Sequence, residues 1–454
     1  MFRMKTWTRA LVLTMLAGYG LAAQQAPAQR PAASARPAPT MAAANAAPES
    51  VGISSERLGR LHAGMQAFVD RHEAGGVVTL VAREGKVVDV HASGFQDVES
   101  GTPMKTDTIF RIASMSKPIT SVAVMMLYEE GKLLLTDPVS KYIPSFRSMR
   151  VVGEGGTTVP ARREITIRDL LSHRSGISYG FLNGGAVGDA YRKEGVTDGL
   201  TVTSMTLAEG IDTLAAQPLM AQPGAAWNYS LGVDVLGRLV EVASGTPFDV
   251  FLRDRIFRPL GMTATCFDVP DAKWSRMATV YAPNGAGGIR PMKDPESFGN
   301  TNMSPVASYK APKKYFSGGA GLTSTARDYG RFALMLAGGG SLDGVRLLGP
   351  KTIEMMTASH TADLPQGGLI GNGANFGLGF RVVMDVATTQ TAGSAGMYGW
   401  SGIYGTTFWV DPKERLVAVM MVQRYPGSPV AASFQPLVYQ ALTKSVSEEL
   451  SIKN

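Results

Sequence analysis

The feature that most constrains the fold is that strand-like segments occur near both ends of the chain. Residues 77–90 read VVTLVAREGKVVDV, two β-branched runs around Glu84-Gly85, and predict a β-hairpin. The segments Phe376–Met384, Gly405–Val410 and Leu416–Val422 have the same strand-like character. Since amphipathic helical patterns fill most of the region between them, we expect both ends to contribute to one sheet.

Helical patterns border these strands on both sides. Apolar residues recur at helical spacing after Ser54, and residues 431–446 close the chain as an amphipathic helix. We therefore predict an α/β (α+β) fold, in which a mixed antiparallel sheet is flanked by N- and C-terminal helices and carries an inserted, mostly helical lobe. The α/β lobe is expected at about 49–134 and 311–454, and the helical lobe at about 135–310.

The first 48 residues have the composition of a targeting segment. Arg3, Lys5 and Arg9 precede a short apolar run, and Leu21-Ala22-Ala23 provides small residues for cleavage. Residues 1–23 are predicted to be a signal peptide, because the apolar run is too short to span a bilayer. The Ala- and Pro-rich residues 24–48 are predicted to be a disordered linker. We expect a periplasmic or secreted protein with no stable membrane insertion.

Charge and cysteine content exclude several classes of protein. The formal charge is +7, but five basic residues precede Glu49, which leaves +2 for the remainder and argues against a nucleic-acid partner. The single cysteine, Cys266, rules out an intramolecular disulfide and is expected to be buried or half-buried. The five histidines form no metal-binding motif, so no metal and no cofactor are expected.

The segment FRIASMSKPIT contains Ser114-Met115-Ser116-Lys117 just before a long apolar helix pattern. Residues three apart share a helix face, so Ser114 and Lys117 can project into one cleft. Serine is a weak nucleophile unless a base or a lowered pKa activates it, and a lysine can help directly or through a second group. Taken alone, the motif is weak, and a helix-capping serine followed by a solvated lysine is the commoner arrangement.

Two further segments contain residues that suit acyl transfer. In AAWNYSLGVDVLG, Tyr229 precedes a predicted helix and could serve as a base, although an ordinary interface tyrosine is the commoner role. In GMYGWSGIYGTTFWVDP, closely spaced glycines precede a strand whose edge can present an amide. The N–H groups of Ile403 and Ser114 would then form an oxyanion hole. The alternative is a core strand rich in aromatic residues.

The order of these segments resembles the serine β-lactamase and penicillin-binding-protein superfamily, in the branch of class C β-lactamases, D-Ala-D-Ala carboxypeptidases and family VIII carboxylesterases. The resemblance covers nearly the whole mature chain. It rests on FRIASMSKPIT, ITIRDLLSHRSGI, PGAAWNYSLGVDVLGRLVE, PLGMTAT, SGGAGLTSTARDYGRF and FGLGF. It implies that Ser114 is the acylated nucleophile, Lys117 its partner, and Tyr229 the general base that later activates the deacylating water.

Two departures from the superfamily pattern indicate the branch. Trp400-Ser401-Gly402 stands where lactamases and peptidases have Lys-Thr-Gly, which removes the cation that binds a substrate carboxylate. Leu231 stands where class C enzymes have the asparagine of Tyr-x-Asn. Trp400, Ser401, Gly402 and Leu231 are therefore expected to contact the substrate, and Trp-x-Gly resembles the family VIII esterases.

The leading interpretation is a serine hydrolase that acts on short to medium acyl esters through an acyl-enzyme intermediate. Its partner is a small-molecule ester. The alternatives are a class C-like β-lactamase or D-Ala-D-Ala carboxypeptidase, and a non-catalytic binding protein of the same fold. We expect the pocket walls in the helical lobe, around Gly180 to Gly199 and Asp294 to Phe316.

Overall fold

A computed structural model describes residues 46–182, 185–298, 300–310, 312–365, 368–427 and 429–446. The predicted signal peptide and residues 24–45 of the predicted linker lie outside these ranges. The expected division into two lobes stays a prediction. No helix in the described part of the chain is long and apolar enough to cross a membrane.

The main sheet has eight strands and contains both ends of the chain, as the sequence predicts. From one edge to the other, its strands are Ala374–Phe376, Arg381–Val383, Tyr398–Ser401, Thr407–Asp411, Leu416–Val422, Gly76–Arg83, Lys86–Asp97 and Thr102–Pro103, and every neighbouring pair is antiparallel. The central contact joins the two ends of the chain, because Val77 lies opposite Val422. The predicted fold class is therefore confirmed.

The strands in chain order are β1 Gly76–Arg83, β2 Lys86–Asp97, β3 Thr102–Pro103, β4 Phe110–Arg111, β5 Arg150–Val152, β6 Thr158–Pro160, β7 Tyr281–Pro283, β8 Ile289–Pro291, β9 Glu296–Phe298, β10 Thr301–Met303, β11 Thr323–Ser324, β12 Ser341–Leu342, β13 Val345–Arg346, β14 Ala374–Phe376, β15 Arg381–Val383, β16 Tyr398–Ser401, β17 Thr407–Asp411 and β18 Leu416–Val422. Those outside the main sheet form two-stranded pairs.

The α-helices are α1 Ser55–Asp70, α2 Ser116–Glu129, α3 Ile167–Leu171, α4 Gly185–Lys193, α5 Leu207–Ala215, α6 Gly232–Ser244, α7 Phe248–Leu252, α8 Asp271–Trp274, α9 Ala326–Ala337, α10 Pro350–Thr357, α11 Val386–Thr389 and α12 Pro429–Tyr439. Local sequence explains several ends. The Ser54 hydroxyl caps α1 by accepting from the Arg57 N–H at 3.2 Å, and Gly245 ends α6 in the left-handed conformation.

Both faces of the sheet are covered by apolar side chains. All residues of β1 and β18 are buried, because side chains alternate between two separate cores. On one face, strand residues such as Leu80 and Phe408 pack with α2 and α9. On the other face, Trp409 and Met420 pack with α1 and α12. Each fully buried large apolar side chain contributes about 1.5–3 kcal/mol to the free energy of folding. The two cores therefore hold the helices in fixed positions on the sheet.

Two predicted elements differ from the structure. The segment 376–384 is two strands, β14 and β15, rather than one, because the chain reverses at Gly377, whose N–H donates to the Phe380 carbonyl at 2.7 Å. Gly379 within this turn has φ +95°, which glycine adopts without steric cost. The final helix, α12, ends at Tyr439 and not at Val446.

Candidate active site

Ser114 lies in a single 3-10 turn, Ala113–Met115, directly before α2. Its neighbours Ala113 and Met115 are buried, whereas Ser114 is half-buried and faces a cavity. Ala113 has φ 41°, an unfavourable value for a residue with a Cβ, so the backbone is strained beside the serine. Met115, not Ser114, is the N-cap of α2, and the helix-cap interpretation of this serine is wrong.

Lys117 lies in the first turn of α2 with its side chain fully buried. Its ammonium donates to the Gly319 carbonyl at 2.8 Å, to the Tyr179 hydroxyl at 2.9 Å and to the Ser114 hydroxyl at 3.3 Å. These bonds use all three protons of the ammonium group. The structure thus brings Ser114 and Lys117 together as the spacing predicts, and it holds the lysine from two other segments.

Tyr229 precedes α6 and reaches the same point from the opposite side. Its ring centroid lies 4.5 Å from the Lys117 Nζ, close enough for a cation–π contact. The indole N–H of Trp400 donates to its hydroxyl at 3.2 Å. Ser114, Lys117, Tyr229 and Trp400, which are far apart in sequence, therefore form one cluster.

The remaining predicted residues have different positions. Ser401 and Ile403 line the cavity. Gly402 approaches the chain just before Ser114, since a Cβ on it would lie 2.4 Å from the Ile112 carbonyl oxygen, and a side chain there would push the two loops apart. Leu231 is 1% exposed and packs in the core below the cavity, so its predicted contact with substrate is wrong. Its position at the start of α6 directs the side chain inward.

Two residues that the sequence interpretation missed hold Lys117. Tyr179 accepts its 2.9 Å bond and lies two residues beyond the quoted motif ITIRDLLSHRSGI, where that motif could have drawn attention to it. Gly319 permits close packing, because a Cβ there would lie 2.7 Å from Asp234 Oδ2 and 3.3 Å from Lys117 Nζ.

The electrostatics around Lys117 follow from burial. Burial raises the pKa of the Asp234 carboxyl to about 6, although the Lys117 ammonium acts in the opposite direction. Burial, together with the nearby Tyr229 and Asp234, raises the pKa of Tyr179 well above its ordinary value. Burial and the charge of Lys117 lower the pKa of His173, which is consequently neutral at pH 7.

A cavity of about 500 Å³ extends from Ser114, and we divide its lining residues into two groups, which we call arms. We call the first the site arm, lined by Ser114, Tyr179, Tyr229, Trp400 and Phe181. The second is the distal arm, lined by Arg381, Val383, Met397, Trp409 and Gln435. Of the expected walls, the 180–199 region contributes Phe181, Leu182 and Asp198, whereas none of the described residues of 294–316 lines the cavity.

The fold and the Ser–Lys–Tyr cluster together define the class of β-lactamase and penicillin-binding-protein folds. A family model described as Beta-lactamase matches residues 61–441, and the chain belongs to this family. The predicted family and the predicted class of enzyme, a serine hydrolase related to β-lactamases, are confirmed.

Three comparisons illustrate its relatives. Esterase EstB of Burkholderia gladioli is 31% identical over 411 residues, which cover 88% of this chain and 100% of EstB. A putative D-alanyl-D-alanine carboxypeptidase of Escherichia coli K12 is 30% identical, over 85% of this chain and 86% of that protein. The structure of EstCE1, a hydrolase with promiscuous acyltransferase activity, has 30% identity and a TM-score of 0.73, covering 86% of this chain and 98% of EstCE1.

Proposed function

We propose that this protein is a carboxylesterase that hydrolyses short to medium acyl esters through an acyl-enzyme intermediate on Ser114. The observation that carries the proposal is the cluster of Ser114, Lys117 and Tyr229 with Trp400, in a cavity whose exposed surface is mainly apolar. The names of EstB and EstCE1 support an ester as substrate.

In the proposed reaction, Tyr229 acts as a phenolate and accepts the proton of Ser114 as the serine oxygen attacks the ester carbonyl carbon. The proton passes to the departing alcohol as the C–O bond breaks, and Tyr229 then activates the water that releases the acid. The Trp400 N–H and the Lys117 ammonium both stabilise negative charge on the Tyr229 phenol. Tyr179 is less suited to be the base, because its raised pKa keeps its own proton in place.

The backbone N–H groups of Ser114 and Ile403 are proposed to bind the oxyanion. Ser114 lies in the turn before α2, and Ile403 lines the cavity in the loop after β16. Donors placed at the developing negative charge contribute about 3 kcal/mol each to transition-state stabilisation. The loop is closed by the Gly402 N–H, which donates to the Thr406 carbonyl at 2.8 Å.

The decisive experiment compares wild type with Ser114→Ala on p-nitrophenyl butyrate. Wild type should release a stoichiometric burst of p-nitrophenol, and the variant should lose at least about a thousandfold in kcat/KM, since the nucleophile has no substitute. Ser145→Ala, which changes an exposed serine on the far loop before β5, is the matched control and should retain activity. Unchanged hydrolysis by Ser114→Ala would remove this serine from the mechanism.

β-Lactamase or D-Ala-D-Ala carboxypeptidase activity is the second candidate, favoured by the name of the Escherichia coli relative. Trp400 argues against it, because the residue supplies no cation beside Ser114 for a substrate carboxylate. Nitrocefin turnover at a rate comparable to ester turnover would reverse this order. A site that reacts with neither a fluorophosphonate nor a fluorescent penicillin would instead indicate the non-catalytic binding protein.

The proposal includes export of the protein. Residues 1–23 have the charge and hydropathy pattern of a signal peptide, which supports a periplasmic or secreted enzyme. Sequencing the N-terminus of the mature protein from a fractionated bacterial host tests this. A mature chain that begins near Gln24 in the periplasmic fraction agrees with the proposal, whereas an intact Met1 in the cytoplasm contradicts it.

A further inference from the structure

The cavity continues past the edge of β16 to the other face of the sheet. Trp400 and Phe408 are paired across β16 and β17, and both belong to the face that packs toward α2. Gly399 and Trp409 form the next pair, and Trp409 belongs to the opposite face. Since both Phe408 and Trp409 line the cavity, the space reaches both faces.

The cavity crosses from one face of the sheet to the other where the pairing of β15 with β16 ends. The register of these two strands ends at the pair Arg381–Gly399, so Trp400 and Ser401 extend beyond the last residue of β15 that pairs with β16. Side chains directly opposite each other in an antiparallel pair lie on the same face. Because Gly399 has no side chain, nothing from β16 covers the Arg381 stem.

Arg381 is the cation in the distal arm, and its charge is poorly compensated. Its Nε donates to the Ile370 carbonyl at 2.6 Å, which anchors the guanidinium to the loop before β14. Burial lowers its pKa, and no carboxylate among the described residues counteracts that effect. An arginine remains protonated even so, and therefore places a positive charge in an apolar space.

Two other enclosed arginines form ion pairs, whereas the buried Arg111 donates to the backbone carbonyls of Pro305 and Ala278. The guanidinium of Arg83 reaches the Glu414 carboxylate at 3.1 Å, and that of Arg331 reaches Asp343 at 3.0 Å. A half-buried charge without an ion-pair partner is costly, and it is tolerated where a ligand supplies the opposite charge. Arg381 differs from these two residues in that its Nη groups make no ion pair with any residue that the structure describes.

The site arm contains charges of both signs. Asp198 lines it and accepts a hydrogen bond from the Leu200 N–H at 2.9 Å. The Lys117 ammonium donates to the Ser114 hydroxyl of the same arm at 3.3 Å. A substrate carboxylate in the distal arm would be attracted by Arg381, the cation among the residues that line that arm.

We propose that the distal arm binds the anionic end of the substrate, so that the preferred esters carry a carboxylate remote from the scissile bond and Arg381 binds it. This inference rests on the proposed esterase function. It also qualifies the argument from Trp400, because the cation absent at position 400 is provided by β15, on the other side of the β16 edge.

The test uses two matched pairs of esters. One pair is mono-p-nitrophenyl adipate and its methyl-capped neutral form, in which the carboxylate is in the acyl half. The other is 4-(butyryloxy)benzoate and its methyl ester, in which it is in the alcohol half. Wild type should prefer the carboxylate form in at least one pair, and the preference should weaken as salt rises from 50 to 500 mM because the contact is electrostatic.

Arg381→Gln should lower kcat/KM for the preferred carboxylate ester by about tenfold or more, as expected for loss of a charge-assisted hydrogen bond. The neutral ester should change by less than about twofold, and Arg381→Lys should restore part of the preference. Arg60→Gln on the exposed face of α1 makes the same change of charge away from the cavity and should have no effect.

Equal losses for charged and neutral esters in Arg381→Gln would overturn the inference, as would a wild-type preference for the neutral form in both pairs. If the glutamine variant does not fold, the wild-type preference and its salt dependence decide the question. Ser114-dependent hydrolysis of neutral esters without any effect of Arg381 refutes this inference alone. Absence of Ser114-dependent hydrolysis of every ester refutes the proposed function as well.

Discussion

The hydrogen bond between Trp400 and Tyr229 gives the sharpest test of the proposed mechanism. Trp400→Phe keeps an aromatic ring against Phe376, whose ring centroid is 5.2 Å away, but removes the indole N–H that donates to Tyr229 at 3.2 Å. If Tyr229 carries negative charge in the transition state, this bond is a hydrogen bond to a charged group and contributes about 1.5–3 kcal/mol. The variant should therefore lose about 10- to 100-fold in kcat, with a small change in KM.

A double-mutant cycle separates this effect from a change in packing. Tyr229→Phe removes the acceptor, so Trp400→Phe should cost almost nothing further in that background. The rate of labelling of Ser114 by a fluorophosphonate is the suitable assay, because it reports acylation even where turnover is too slow to follow. A coupling energy of about 1.5 kcal/mol or more is expected on this argument.

Additive effects in the cycle would refute the reasoning. They would show that Trp400 acts on the reaction through its volume and not through its N–H. A rise in KM with kcat unchanged would contradict it in another way, since the contact would then stabilise bound substrate and transition state equally.

Two further predictions concern the support of Lys117. Gly319→Ala should displace the Lys117 ammonium, because the new Cβ would lie 2.7 Å from Asp234 Oδ2 and 3.3 Å from Lys117 Nζ. We expect a loss of about 1–3 kcal/mol in unfolding free energy, measured by urea unfolding, and a lower kcat, measured by ester hydrolysis. Gly59→Ala, at a helical position with nothing within 4 Å, is the control and should not destabilise. Asp234 has a folded-state pKa of about 6, above its ordinary value of 3.8, so its stabilising contribution is complete below pH 3.8 and is lost as pH rises through 6. The unfolding free energy of wild type should accordingly fall between pH 4 and 6 relative to Asp234→Asn, and parallel pH profiles would contradict this.

Much of the fold could be predicted because it depends on local patterns. The β-branched runs and the Glu84-Gly85 turn define the hairpin β1–β2, and the glycine at position 245 defines the end of α6. The one strand expected at 376–384 was divided by the Gly377–Phe380 turn. In that segment the apolar residues on both sides of the turn concealed a reversal that the positive φ at Gly379 reveals.

The cluster could be predicted in part, for a different reason. Ser114 and Lys117 are three residues apart, and their contact follows from helical geometry alone. Tyr229 and Trp400 are separated by 171 residues, and their contact depends on how the sheet places β16 beside the start of α6. The contact of Leu231 with substrate was predicted wrongly, because its position after Tyr229 does not determine the direction of its side chain. At the start of α6 that side chain points toward the core.

Arg381 was missed because its proposed role depends on the lack of an ion-pair partner among the described residues. In the sequence it is an ordinary basic residue after FGLGF, and only the register Arg381–Gly399 places it at the end of a strand pair, beside a residue without a side chain. The same register explains how a tryptophan at position 400 and a cation near the cavity can coexist. Trp400 occupies the face toward Ser114, where its indole N–H donates to the Tyr229 hydroxyl. The Arg381 guanidinium lies on the other face, where it cannot neutralise the phenol oxygen or compete with Lys117. Separation of the two groups by the sheet edge would therefore allow one cavity to contain both the proposed base, which must carry negative charge, and the proposed site for an anionic substrate end.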